Sequence, residues 1–140
     1  AGVFCDIKRL GTGKGSQKGK KRDLALIVSE ASAAVAGLLT TNQICAAPVK
    51  VCAQRVKKGK AQAIVVNSGN ANACTGAQGE RDALEMCERV AKALGCPTEQ
   101  VLVCSTGVIG VKLPMEKVRA GIDQALQSLS GDVEAGRRFL

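Results

Sequence analysis

Ala63-Ile64-Val65-Val66-Asn67-Ser68-Gly69-Asn70-Ala71-Asn72-Ala73-Cys74-Thr75-Gly76 joins two kinds of sequence in one stretch. Its first four residues are small or β-branched and apolar, the composition of a buried strand. From Asn67 onward the stretch is dense in Asn, Ser and Gly, rich in amide donors and acceptors and tolerant of left-handed backbone. The same order recurs where Val101-Leu102-Val103-Cys104 runs into Ser105-Thr106-Gly107-Val108-Ile109-Gly110. Two strands are thus expected, each ending in a small polar turn that carries glycine. Such turns let backbone N–H groups come close to a ligand, as in oxyanion holes and anion nests.

Outward from these segments, residues 79–94 predict a helix. Ala83, Leu84, Met86, Cys87, Val90, Ala91 and Leu94 form an apolar stripe, with Arg81, Asp82, Glu85, Glu88, Arg89 and Lys92 elsewhere around the wheel. Gly95 stands at the C-cap position and Pro97 prevents continuation. A second helix is expected from Leu113-Pro114-Met115 through Leu129, with Pro114 at a permitted first-turn position. Ser130-Gly131-Asp132 then breaks it ahead of a polar tail. Residues 23–29 predict a strand and residues 2–7 a shorter one. Residues 44–52 read as extended or partly helical, since Pro48 argues against a long helix there. The Gly-rich residues 10–19 read as a loop, a hairpin or insertion; the spacing GxxxxGK[ST] of a phosphate loop is absent. Strands alternating with helices, and no internal linker, predict one α/β domain over residues 1–140.

Composition limits the chemistry. The chain has 140 residues, 46% of them hydrophobic, enough for one core, but almost all of that is Ala, Val, Leu and Ile. There is no histidine, which excludes a Ser-His-Asp triad, a His base and His-ligated zinc within this chain. The seven cysteines are odd in number and show no CxxC spacing, so free thiols acting as small apolar residues in a reducing compartment are expected. Cys74 and Cys104, at strand ends, are the two thiols placed for catalysis, though neither has a cationic neighbour in sequence to activate it. The net charge of +8 gathers in Lys14, Lys18, Lys20, Lys21 and Arg22 and in Lys57, Lys58 and Lys60. These are loop positions where solvated charge suffices, and no aromatic stacking residues accompany them to suggest nucleic acid. No apolar stretch reaches the ~20 residues of a membrane-spanning helix.

One polar turn after a strand is ordinary, because Asn, Ser and Gly are common turn formers. Two of them, each behind an apolar strand and ahead of a helix, favour a site, since α/β domains place their sites at strand ends. At Thr106-Gly107 the expectation is specific. A hydroxyl and the N–H of a residue without Cβ converge on one developing oxyanion during acyl transfer, each donor being worth ~3–4 kcal/mol in the transition state.

The two motifs also resemble signature segments of the ornithine acetyltransferase (glutamate N-acetyltransferase) family of arginine biosynthesis. Thr40-Thr41-Asn42, Ala46-Ala47-Pro48-Val49 and Leu113-Pro114-Met115 agree with that family in order and approximate spacing, so the resemblance spans about residues 2–129. It implies an N-terminal-nucleophile-like α/β fold of layered sheet and helices, forming part of a two-chain αβ protomer. It further implies a precursor that cuts itself between Ala and Thr, and a β chain whose new N-terminal Thr carries the acetyl group. The acetyl group passes from N2-acetylornithine to glutamate in a ping-pong cycle, with the threonine's own amine as base. The resemblance implies that Thr106 and Gly107 form the oxyanion hole. It implies no cofactor and no metal, with acetyl-CoA as an acetyl donor in some members. The expected partners are the β chain, in an α2β2 heterotetramer, and the two amino-acid substrates. Neither nucleic acid nor membrane is expected, and the implied location is the bacterial cytoplasm, or a mitochondrion or plastid in a eukaryote. The family's α chain continues past the second helix through a Thr-rich and a Lys-Gly segment absent here, so the chain reads as the N-terminal part of an α chain.

Two other readings stay open on the residues alone. One is a non-catalytic anion- or nucleic-acid-binding α/β module using the Gly/Lys loops. The other is a standalone thiol enzyme using Cys74 or Cys104.

Overall fold

The computed structural model describes residues 1–3, 5–7 and 22–137. The Gly-rich residues 10–19, read as a hairpin or insertion, lie outside the described residues, as do Lys20 and Lys21. The element order is β1 (Gly2–Val3), β2 (Leu24–Ala34), α1 (Ala47–Val56), β3 (Lys60–Asn70), α2 (Gly76–Leu94), β4 (Val101–Val108), α3 (Met115–Gln127) and α4 (Val133–Arg137). The strands form one mixed sheet in the order β1-β2-β3-β4. The first two pairings are antiparallel, while β3 and β4 run parallel and are linked through α2.

Alternation along the strands divides the sheet into two faces. Leu24, Leu26, Ala63, Val65, Val101 and Val103 are all buried, in one cluster with Val51 and Cys52 of α1, Met86, Cys87 and Val90 of α2, and Val118 and Ile122 of α3. That is the helix-covered face. On the other face Ile27, Ile64, Val66 and Cys104 are only partly covered or exposed, Ile27 at 45%. Leu102 on this face is buried, but among the described residues no helix covers the rest of it.

Several local expectations need revision. Pro48 does not prevent a helix but opens one: it is the second residue of α1, where fixed φ suits the first turn and no N–H is required. Helix α2 begins a turn earlier than the apolar stripe suggests, and Leu84 of that stripe faces outward at 40% exposure. Gly95 takes the left-handed C-cap conformation at φ 67°, as expected. The tail after Asp132 holds a short helix rather than irregular chain. The largest revision concerns the two polar motifs. Strand β3 continues through Asn67-Ser68-Gly69-Asn70, and β4 through Ser105-Thr106-Gly107-Val108. They are strand ends, not turns, because each pairs with the other: Asn67 with Ser105, Ser68 with Thr106, Gly69 with Gly107, Asn70 with Val108.

Helices α2 and α3 are held side by side by reciprocal ion pairs. Arg89 of α2 grips Asp123 of α3 at 2.7 and 2.5 Å, and Arg119 of α3 grips Glu85 of α2. These contacts hold both carboxyls below the usual carboxylate range, with the hydrogen bond from arginine the leading cause in each. Buried Asp23 accepts from the Cys5 and Ile7 backbone N–H groups, both at 2.7 Å, and so ties the N-terminal segment to β2.

Candidate active site

The paired ends of β3 and β4 rest on a buried asparagine framework. Asn67, Asn70 and Asn72 are each fully buried. Asn67 Nδ2 donates to the Asn70 carbonyl at 2.9 Å. Asn70 accepts from the Asn72 N–H and donates to the Lys112 carbonyl, both at 3.1 Å. Asn72 Nδ2 donates to the Gly79 carbonyl at 2.9 Å, and its Oδ1 accepts from the Thr75 hydroxyl at 2.8 Å. The amides noted in the sequence as ligand-binding groups are thus engaged internally, as buried polar groups usually are, with Asn67 Oδ1 the one amide oxygen of the three left without a partner among the described residues. Their work is to hold the strand ends and the start of α2. Gly79 is required for the latter, since a Cβ there would lie 1.9 Å from Thr75 Oγ1.

Within this frame Gly107 is doubly constrained. Its φ is 131°, in the region favouring glycine, and a Cβ would lie 2.3 Å from the Gly69 carbonyl carbon and 2.6 Å from the Asn70 nitrogen. The two strand ends approach so closely because glycine faces glycine.

The direction of the Gly107 N–H follows from the ladder. In a strand the N–H and C=O of one residue point to the same side, and the side alternates along the chain. The Val108 carbonyl accepts from the Ala71 N–H at 2.9 Å, so even-numbered residues of β4 bond toward β3. Odd-numbered ones point off the free edge of the sheet. Val101 and Val103 agree with this, because α1 caps their outward groups. Arg55 Nη1 donates to the Val101 carbonyl. Cys52 Sγ lies 3.2 Å from the Val103 carbonyl and 3.4 Å from its nitrogen. Among the described residues that capping ends beyond Val103. The Gly107 N–H is directed off an uncapped edge, and alternation places the exposed Thr106 side chain on the face without helices. Thr106 and Gly107 are both exposed and form a solvent-accessible ledge at the end of β4; a hydroxyl and a backbone amide are the donor types that an anionic oxygen takes.

Of the remaining candidates, Cys104 shares the face of Thr106 two residues earlier on β4, and the others lie away from this ledge. Cys104 is exposed one position before Ser105, but partial burial, followed by the nearby Cys52 thiol, raises its pKa and so disfavours the thiolate a nucleophile needs. Cys74, also exposed, lines a different cavity of about 290 Å³ with Cys45, Lys50 and Glu80. All seven cysteines are free. Cys52 and Cys87 are buried, Cys5, Cys45 and Cys96 partly so, and Cys74 and Cys104 exposed, so the apolar-thiol reading holds for the first two, in part for the next three, and not for Cys74 or Cys104. Lys57, Lys58 and Lys60 are exposed around the turn that starts β3, at the opposite end of that strand from the ledge. Among the described residues no group of three or more His, Cys, Asp or Glu is placed to hold a metal ion, and no helix is long and apolar enough to cross a membrane. Sequence reasoning missed Cys52 and Arg55. Nothing in their helical pattern marks them as caps of a sheet edge.

Comparison with known proteins gives a consistent result. Residues 9–138 match the ArgJ family. The arginine biosynthesis bifunctional protein ArgJ of Caldanaerobacter subterraneus subsp. tengcongensis is 56% identical over 130 residues, covering 93% of this chain and 30% of that protein. The ArgJ protein of Thermotoga neapolitana is 50% identical over 134 residues, covering 94% of the chain and 31% of the relative. The chain therefore spans about a third of the length of these relatives. Among solved structures, ornithine acetyltransferase of Mycobacterium tuberculosis in complex with ornithine superposes with a TM-score of 0.88 at 39% identity, covering 99% of this chain and 70% of that one. The ArgJ protein of Bacillus halodurans gives 0.84 at 38% identity, covering 99% and 67%.

Proposed function

The chain belongs to the ArgJ family, and from that premise we propose that it is the α-chain part of an acetyltransferase of arginine biosynthesis. In this reading it moves an acetyl group from N2-acetylornithine to glutamate through an acetyl-threonine on a β chain. The observation that carries the reading is the ledge at the end of β4, where the Gly107 N–H leaves the free edge beside the Thr106 hydroxyl.

The chemistry asks this chain for little else. The threonine hydroxyl of the β chain attacks the acetyl carbonyl while its own amine takes the proton. Negative charge then builds on the carbonyl oxygen, and Thr106 and Gly107 stabilise it. Collapse of the tetrahedral intermediate releases the ornithine amine, which recovers the proton, and leaves the acetyl ester on threonine. Glutamate's amine attacks that ester through a second tetrahedral intermediate at the same two donors. No histidine is needed, in keeping with a chain that has none. Both half-reactions transfer the acetyl group directly, so no resident cofactor is invoked. Acetyl-CoA serves as a second donor by the same path, in keeping with the word "bifunctional" in the relatives' names. The assembly is an α2β2 heterotetramer, and its location the bacterial cytoplasm.

The experiment is steady-state acetyl transfer by the assembled two-chain enzyme with Thr106→Ala. Removing one oxyanion donor should lower kcat by roughly 10²–10³-fold, with assembly unchanged by size-exclusion chromatography. Wild-type turnover with both amino-acid substrates would refute the assignment.

A further inference from the structure

Three buried side-chain polar atoms have no hydrogen-bond partner among the described residues: Gln100 Oε1 ahead of β4 and, behind the ledge, Asn67 Oδ1 and Ser105 Oγ. The latter two lie together. Asn67 and Ser105 stand opposite one another in the β3–β4 register. Alternation puts both on the helix-covered face, the face of Val65 and Val103. Buried polar atoms without partners are rare, and two facing each other across a ladder are groups an internal water can bridge.

Asn67 is also tied to the catalytic edge. Its Nδ2 donates to the Asn70 carbonyl, and the Gly69–Asn70 peptide is the surface against which Gly107 packs without room for a Cβ. An asparagine amide has two orientations, and its hydrogen-bond partners select between them. With Oδ1 turned toward the Asn70 carbonyl, two acceptors would meet and the strand end would shift. A donor held at Oδ1 prevents that reversal. The residue across the ladder, Ser105, is the one placed to supply or anchor it.

We propose that Ser105 is a positioning residue for the oxyanion site, its hydroxyl and Asn67 Oδ1 sharing one internal water that locks the Asn67 amide onto Asn70. The peptide supporting Gly107 is thereby fixed, and with it the direction of the Gly107 N–H. Ser105 touches no substrate in this account; it acts through Asn67 and the β3 backbone. The inference rests on the acetyltransferase reading above, because it concerns the same two donors.

The test compares Ser105→Ala with Thr106→Ala in the assembled two-chain enzyme, using N2-acetylornithine and glutamate. Misplacing a reacting group by about 1 Å costs up to about a hundredfold in rate. Ser105→Ala is expected to lower kcat about tenfold while KM for both substrates stays within about twofold. Loss of kcat in Thr106→Ala with wild-type kcat in Ser105→Ala would overturn this inference alone. Wild-type kcat in Thr106→Ala would overturn the oxyanion assignment and this inference with it. A high-resolution crystal structure of the unsubstituted enzyme keeps the proposal testable should Ser105→Ala not fold. One water within hydrogen-bond distance of both atoms supports it, and a direct Ser105–Asn67 bond or a dry recess overturns it.

Discussion

At Gly107, conformation and space act together: a positive φ disfavours any side chain, and the facing Gly69 peptide leaves no volume for one. Either effect alone costs about 1–3 kcal/mol. Gly107→Ala must therefore strain the backbone or part the ends of β3 and β4. The expected result is a stability loss of about 2–4 kcal/mol in urea denaturation of the assembled protein, together with loss of acetyl transfer. An active, stable Gly107→Ala variant would show that the strand ends are not held as described. Thr106 differs, being exposed on the ledge with no packing role to lose. Its truncation should leave stability near wild type while turnover falls. Contrasting effects at neighbouring positions separate architecture from chemistry.

Among the elements, α1 has a duty its sequence does not advertise. Arg55, buried near the end of that helix, donates to the Val101 carbonyl, and Cys52 engages Val103. Arg55→Met keeps much of the apolar stem but orphans that carbonyl. It should cost about 1–3 kcal/mol and speed amide exchange along β4 in hydrogen-exchange mass spectrometry. Unaltered exchange there would mean that the edge needs no cap. The α2–α3 ion pairs set a pH dependence. Because Asp123 and Glu85 titrate below their ordinary values, their contribution is complete above the ordinary carboxylate range. It is lost as pH falls through the lowered values. Half-exposed pairs contribute modestly, so the check is a difference. The Asp123→Asn/Glu85→Gln variant should lose less stability than wild type between pH 6 and pH 3, read from urea midpoints.

The same elements show what a single sequence reveals. The apolar halves of β3 and β4, the stripe of α2 and its glycine cap are local patterns and were readable. The continuation of both strands through Asn67–Asn70 and Ser105–Val108 was not, because Asn, Ser and Gly favour turns unless a partner strand stabilises them. That partner lies over thirty residues away in each case. Thr106 and Gly107 could be singled out from their residue types and from family resemblance. Their presentation on an uncapped edge depends on parallel register and on α1, neither of which composition encodes.

Across the whole molecule, the described helices cover one face of the sheet only. Ile27, Ile64 and Val66 line a face without helices, and the chain spans about a third of its relatives' length. In the proposed reaction the ledge supplies donors and the β chain the nucleophile. This chain assayed alone should therefore transfer no acetyl group, and adding the threonine-bearing β chain should restore transfer. Transfer by the isolated chain, abolished by thiol alkylation, would instead point to Cys74 or Cys104.

The central claim is one of geometry: negative charge formed on an acetyl oxygen is met by the Thr106 hydroxyl and the Gly107 N–H. The most direct measurement is a crystal structure of the two-chain enzyme trapped as its acetyl-threonine ester. The account predicts the ester carbonyl oxygen about 2.7–3.1 Å from both Thr106 Oγ1 and the Gly107 nitrogen. An ester oxygen bound by other donors, with Thr106 and Gly107 out of reach, would contradict it.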